Sequence, residues 1–239
     1  PLTPSGVGTQ TRYIIEGMLK TGKYQFISFG GLIKHDDYRP IKTEEWGDDW
    51  VIIPTDGYGT QESVRALLWA EKPDIVWFMT DPRFWTWLWE IEEEVRYNVP
   101  MIYYHVWDNF PPPKYNKKYY ESNDFIAAIS KITDKVVEKV APNVDRKYLP
   151  HAVDTEIFKP LDEQFVKKLR EDNFKENKDK FIVFWNNRNA RRKMGATLIL
   201  WFKTFLEKIG EENAILLMHT NPKDKAGSDL EAFISDIGM

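Results

Sequence analysis

The 239-residue chain carries 33 Lys and Arg against 37 Asp and Glu, a formal net charge of −4, with 42% hydrophobic and 29% charged residues. That composition excludes a disordered chain, and no uncharged apolar run approaches the ~18–20 residues of a helical membrane span. The absence of cysteine removes disulfides, thiolate metal sites and a cysteine nucleophile, while the mild acidity argues against a dedicated nucleic-acid binder.

In chain order, strands and helices alternate. Residues 1–8 read as a loop holding Pro4, Gly6 and Gly8, followed by a helix over 9–20 with Tyr13, Ile14 and Met18 on one face. Strands are expected at 24–29, 50–53, 74–79, 100–106, 125–129 and 146–149, with helices at 61–72, 83–97 and 132–140. Residues 32–49 read as polar and turn-rich. After a Pro-containing, charged stretch over 150–180 come a strand at 181–185, a helix at 196–209, a strand at 214–218 and a last helix at 228–237. Ser228 followed by Glu231 predicts a capping box there. Buried apolar strands separated by helices mean βαβ units and mostly parallel sheets. The pattern predicts two α/β domains, residues 1–152 and 153–239, the second with about two βα units.

Four places carry residues suited to chemistry. Gly6-Val7-Gly8 precedes a helix, where free N–H groups and the helix dipole suit an anion or sugar oxygen; an ordinary tight turn fits the same residues. His105, with Asp108 three residues on, ends an apolar strand, the edge where ligands bind in open α/β sheets; a structural histidine fits equally. Asp81 ends another strand and doubles as a helix N-cap candidate. Asn187, Arg188, Arg191, Arg192 and Lys193 follow the first strand of the second domain, with four cations in six residues. Guanidinium forks and an ammonium there can neutralise a diphosphate, although charge runs are usually solvated faces. His35 and His219 stand alone and read as structural. No zinc-spaced histidines and no D-x-D pair occur. No metal or cofactor is expected.

Four segments occur together in one order: Ser5-Gly6-Val7-Gly8, His105, the connector from Leu149 to Pro160 (LPHAVDTEIFKP), and Arg188 to Lys193. In this the chain resembles the GT-B glycosyltransferases of the family-4, glycogen-synthase-like group. The connector is similar to that family's P-N-G-V-D-x-x-x-F-x-P, with His151-Ala152 in place of Asn-Gly. The five-residue spacing of Arg188 and Lys193 is similar to G-R-x-x-x-x-K-G, with Asn187 at the first Gly and Met194 before Gly195. The resemblance implies two Rossmann-like domains and a metal-independent, retaining transfer from a nucleotide-sugar donor to a glycan or other acceptor. It implies catalytic roles for His105, Arg188 and Lys193, and substrate contacts at Gly6, Val7, Gly8, Asp81, Asp108, Asn187, Arg191 and Arg192. It further implies a family strand before the Gly-rich loop and a donor motif beyond Met239. The chain is accordingly expected to be a fragment, with a gap in its first sheet and weak or no turnover alone. A cysteine-free chain without a secretory pattern is expected in the cytoplasm, with peripheral membrane contact left open. A non-catalytic sugar- or nucleotide-binding module of the same fold is the alternative.

Overall fold

The structure is a computed structural model that describes residues 5–31, 35–107 and 109–239. The chain divides into two compact units, Pro1–Asp154 and Thr155–Met239.

In the first unit, helix α1 (Gly6–Leu19) starts earlier than its glycines suggest. Ser5 is its N-cap, accepting from Gly8 N–H at 3.1 Å, so Gly6, Val7 and Gly8 form the first helical turn and not a loop. The buried face is Gly8, Ile15 and Leu19; the expected face of Tyr13, Ile14 and Met18 is only partly covered. Strands β1 (Phe26–Gly30), β2 (Ile41–Thr43) and β3 (Gly47–Pro54) form a sheet of order β1-β3-β2. β1 and β3 are parallel, whereas β2 pairs antiparallel to β3. The polar stretch before Trp50 thus contains strand structure that its composition hides. β2 lies at the sheet edge with mostly exposed side chains, so it carries no apolar signal.

Helix α2 (Gln61–Glu71) opens on a capping box between Thr60 and Ser63. The central sheet follows: β4 (Val76–Thr80), β5 (Met101–His105), β6 (Phe125–Ala128) and β7 (Arg146–Tyr148), parallel and in that order. Its inner strands are buried almost without alternation, as strands covered on both faces must be. Register aligns Thr80, His105, Ala128 and Tyr148 in one row at the C-terminal edge.

The tryptophan-rich stretch is not one helix. It breaks into a 3-10 turn (Pro82–Phe84), α3 (Thr86–Trp89) and α4 (Glu92–Asn98). Residues two apart do not share a helix face, yet Trp85, Trp87 and Trp89 all pack against the core. Each indole N–H also needs an acceptor. Met79 C=O takes Trp85 at 3.1 Å, Phe84 C=O takes Trp87 at 3.0 Å, and Asn123 Oδ1 takes Trp89 at 3.1 Å. Bends at Trp85 and Ile91 satisfy both demands. A short α5 (Lys117–Glu121) delivers Tyr120 to the core, and α6 (Lys131–Val140), capped by Ser130, buries Thr133, Val136, Val137 and Val140 at helical spacing.

In the second unit, α7 (Glu163–Phe174) buries no side chain. Strands β8 (Phe181–Asn186) and β9 (Ala214–His219) form a parallel pair. Helix α8 (Gly195–Ile209) buries Gly195, Ile199 and Phe202, and leaves Trp201 67% exposed. In α9 (Leu230–Asp236) the N-cap is Asp229, accepting from Ala232 N–H at 3.0 Å, and not Ser228. The Ser228 carbonyl is instead taken by Asn189 Nδ2 at 2.6 Å.

Candidate functional site

At the C-terminal edge of the central sheet, His105 is 0% exposed. Both ring nitrogens are used: Nδ1 lies 2.9 Å from the Tyr103 hydroxyl and Nε2 2.8 Å from the Tyr120 hydroxyl. The ends of this chain set its direction. The Thr80 carbonyl can only accept, and takes the Tyr103 O–H at 2.5 Å. Tyr103 oxygen therefore accepts from Nδ1–H, and Nε2 accepts from Tyr120 O–H, whose oxygen takes Asn116 Nδ2–H at 3.4 Å. His105 is thus a neutral imidazole with its proton on Nδ1, and burial pushes its pKa down to about 3. The strand-end position expected of it is present; a free ring nitrogen for a sugar is not.

What the chain of bonds holds is Thr80, a non-glycine residue at φ 118°. Its strained corner hands the chain to Asp81, whose carboxylate accepts from Arg83 N–H at 3.0 Å and faces Arg83 Nε at 3.2 Å. Asp81 is therefore the cap of a 3-10 turn rather than of a long helix. Beside it, Tyr58 stacks on Phe84 with centroids 4.5 Å apart. Gly6, Val7 and Gly8 sit at the start of α1, where Val7 packs against the cluster of Met79, Tyr104 and Ala127. Two residues that sequence reasoning overlooked tie this region to the connector. Gln10 brackets Ala152 with Nε2 to its carbonyl at 2.6 Å and Oε1 from its N–H at 3.0 Å. The Tyr104 hydroxyl donates to Leu149 C=O at 2.8 Å. Asp108 lies outside the described residues.

In the second unit, the end of β8 leads through Asn187 and Arg188 into a 3-10 turn (Arg191–Lys193) and then α8. Met194 occupies the N-cap position in the left-handed region, φ 53°, and no side chain caps the helix. Arg191, Arg192 and Lys193 have no side-chain partner among the described residues, whereas Arg188 is paired with Asp224 through Nε–Oδ2 at 2.7 Å and Nη2–Oδ1 at 3.2 Å. The arginine holds the Asp224 carboxyl down to about 2. Asp224 was not legible as a partner, since 36 residues separate it from Arg188. Asn189 is buried and structural: its amide donates to Pro222 C=O at 3.1 Å and Ser228 C=O at 2.6 Å. Gly227 is required beside it, because a Cβ there would meet Asn189 Oδ1 at 2.2 Å. His35 and His219, which read as lone structural residues, have hydrogen-bond partners, with ring nitrogens 2.6 Å from Gly30 C=O and 3.0 Å from Asn186 Oδ1. Among the described residues no three His, Asp or Glu side chains gather in a way that can hold a metal ion.

No family model and no curated protein sequence matches the chain. Solved structures do. One, described as trehalose-6-phosphate from E. coli bound with UDP-2-fluoro glucose, has a TM-score of 0.63 and 13% identity, and the match covers 99% of this chain and 67% of that one. Another, the apo structure of OtsA, has a TM-score of 0.64 and 12% identity, covering 99% of this chain and 66% of that one. The chain spans about two thirds of the length of these proteins. The likeness is to the GT-B fold as a class and does not single out family 4. At such identities it establishes architecture alone: the chain has the parallel α/β, Rossmann-like fold of the GT-B type.

Proposed function

We propose that the chain is a glycosyltransferase that moves a sugar from a nucleotide-sugar donor to a glycan or other acceptor, with retention and without a metal, in the manner of the family-4 group. One juxtaposition carries the reading. Arg191, Arg192 and Lys193, without side-chain partners among the described residues, stand directly ahead of the uncapped N-terminus of α8. Backbone N–H groups and cations there suit a diphosphate. Negative charge develops on the leaving diphosphate during transfer, and preorganised cations stabilise it as a metal ion would. The fold neighbour described with UDP-2-fluoro glucose supports a nucleotide-sugar donor. In this reading Arg188 joins the phosphate contacts, Asn187 flanks them, Gly6 and Asp81 contact donor or acceptor sugars, and Val7 and Gly8 support that end of α1 from its buried side; the sugar contact that the family resemblance implies for Asp108 belongs to the same reading. His105 supports the Thr80–Asp81 corner instead of touching sugar. In the same reading the acidic chain takes no nucleic acid as partner and works in the cytoplasm, with peripheral membrane contact left open.

Titration of the full chain with UDP tests the proposal. Lys193→Ala and Arg191→Ala are each expected to weaken binding by about 1.5–3 kcal/mol, the size of a charge-assisted bond. Unchanged affinity in both variants overturns the phosphate role. A second reading, a binding module without catalysis, is favoured by one observation, the buried and fully bonded His105. Binding of UDP-sugar with no hydrolysis or transfer would select it.

A further inference from the structure

The geometry points to Asp224 as a positioning residue that presets Arg188 for a diphosphate; this rests on the donor-site reading above. A guanidinium has five N–H donors. Asp224 takes the side edge, Nε–H and one Nη2–H. The other edge, both Nη1 hydrogens and the second Nη2 hydrogen, remains for a second oxyanion in the same bidentate geometry.

Of the two partners, the carboxylate is the anchored one. The Asp224 side chain is 16% exposed against 72% for Arg188. Its Oδ1 also accepts from Ala226 N–H at 2.9 Å, and its carbonyl from Gly227 N–H at 2.9 Å. The loop is held in turn by Arg191 N–H on Ala226 C=O at 3.0 Å and by the two Asn189 bonds to Pro222 and Ser228. Gly227 lets that loop lie directly on Asn189. A fixed carboxylate therefore holds a flexible, exposed cation in one orientation, removing in advance the side-chain entropy that binding would otherwise cost.

The sign of one substitution tests this. Asp224→Asn removes a negative charge beside an anion site, and Coulomb attraction alone would tighten anion binding. Its Oδ1 can keep the Ala226 bond, so the loop survives, while its amide NH2 confronts Arg188 Nε–H and removes the shorter of the two bonds to the guanidinium. The probes are inorganic pyrophosphate and UDP, titrated into the full chain. Asp224→Asn is expected to bind about tenfold more weakly despite the added positive charge, the worth of one charge-assisted bond. Arg188→Ala is expected to bind at least as weakly, and the double variant no more weakly than Arg188→Ala. In 1H–15N spectra the Arg188 Nε–H signal should be protected from exchange in the unsubstituted chain, remain so with pyrophosphate bound, and be lost in Asp224→Asn. Equal or tighter binding by Asp224→Asn, or loss of the Nε–H protection when pyrophosphate binds, overturns the positioning role and makes Asp224 a competitor for the arginine. If the unsubstituted chain binds neither probe, the donor-site reading itself fails, and the positioning role with it.

Discussion

His105 shows how one side chain can sit where a catalytic group is expected and do something else. Its imidazole lies between two phenols inside the core, and burial holds its pKa at about 3. This has a consequence for stability. An unfolded histidine takes up a proton near pH 6.5, whereas the folded one stays neutral until about pH 3. Between those values the unfolded chain binds more protons, so stability is full above pH 6.5 and is lost as pH falls through this window. Burial shifts His151 in the same direction. The folded-state shifts of Glu62, Glu94, Asp124 and Asp224 are downward, so their losses begin only near pH 4.5 and below. Urea unfolding should therefore show about 2 kcal/mol less stability at pH 5 than at pH 7, from ~1.36 kcal/mol per unit for one group. A His105→Gln variant should have a flatter profile; an equal slope in both proteins would reject the assignment.

At the scale of the element, helix ends decide more than helix interiors. α6 is held at its start by Ser130, which accepts from Thr133 N–H at 3.0 Å, while Thr133 Oγ1 donates to Trp107 C=O at 2.8 Å. The cap thus fixes the helix and, through a buried threonine, the segment after β5. Ser130→Ala is expected to cost about 1 kcal/mol in chemical denaturation, with Thr133 retained in the core. α8 is the opposite case, since its N-cap position holds Met194 in the left-handed region with no side-chain bond. An uncapped, cation-preceded helix start is unfavourable in isolation, as its N–H groups lack acceptors and its dipole faces like charge. An anion there would relieve both, which is why the diphosphate reading rests on this element.

At the scale of the whole molecule, the two units differ in how much they bury. The first contains three clusters of buried side chains, built from Val95, Met101, Tyr103, Ile126 and Val137, from Ile15 and Trp50, and from Met79 and Tyr104. The second buries Ile199, Phe202, Ala214 and Leu230 around a two-stranded sheet, and leaves Phe181, Phe184, Trp201 and Phe165 exposed. Local opening costs least where few apolar contacts must be broken. Amides of β8 and β9 should accordingly exchange with deuterium well before those of β5 and β6, and equal protection in the two sheets would contradict this picture. By itself the sequence determined what periodicity and composition can encode. The parallel α/β class follows from continuous apolar strands such as those ending at Thr80 and His105, and the positions of α2, α6 and α8 follow from apolar spacing. The cation cluster at the end of β8 was legible for the same reason, because strand, loop and helix are contiguous there. Edge strand β2, the broken tryptophan segment, the fully bonded state of His105 and the Arg188–Asp224 pair were decided only by tertiary structure. Each depends on a partner that local spacing does not name: Val51 and Ile52 for β2, Asn123 for the Trp89 indole, Tyr120 for the imidazole, Asp224 for the guanidinium. A residue type states which bonds a side chain can make, and only the folded chain states which of them are already taken.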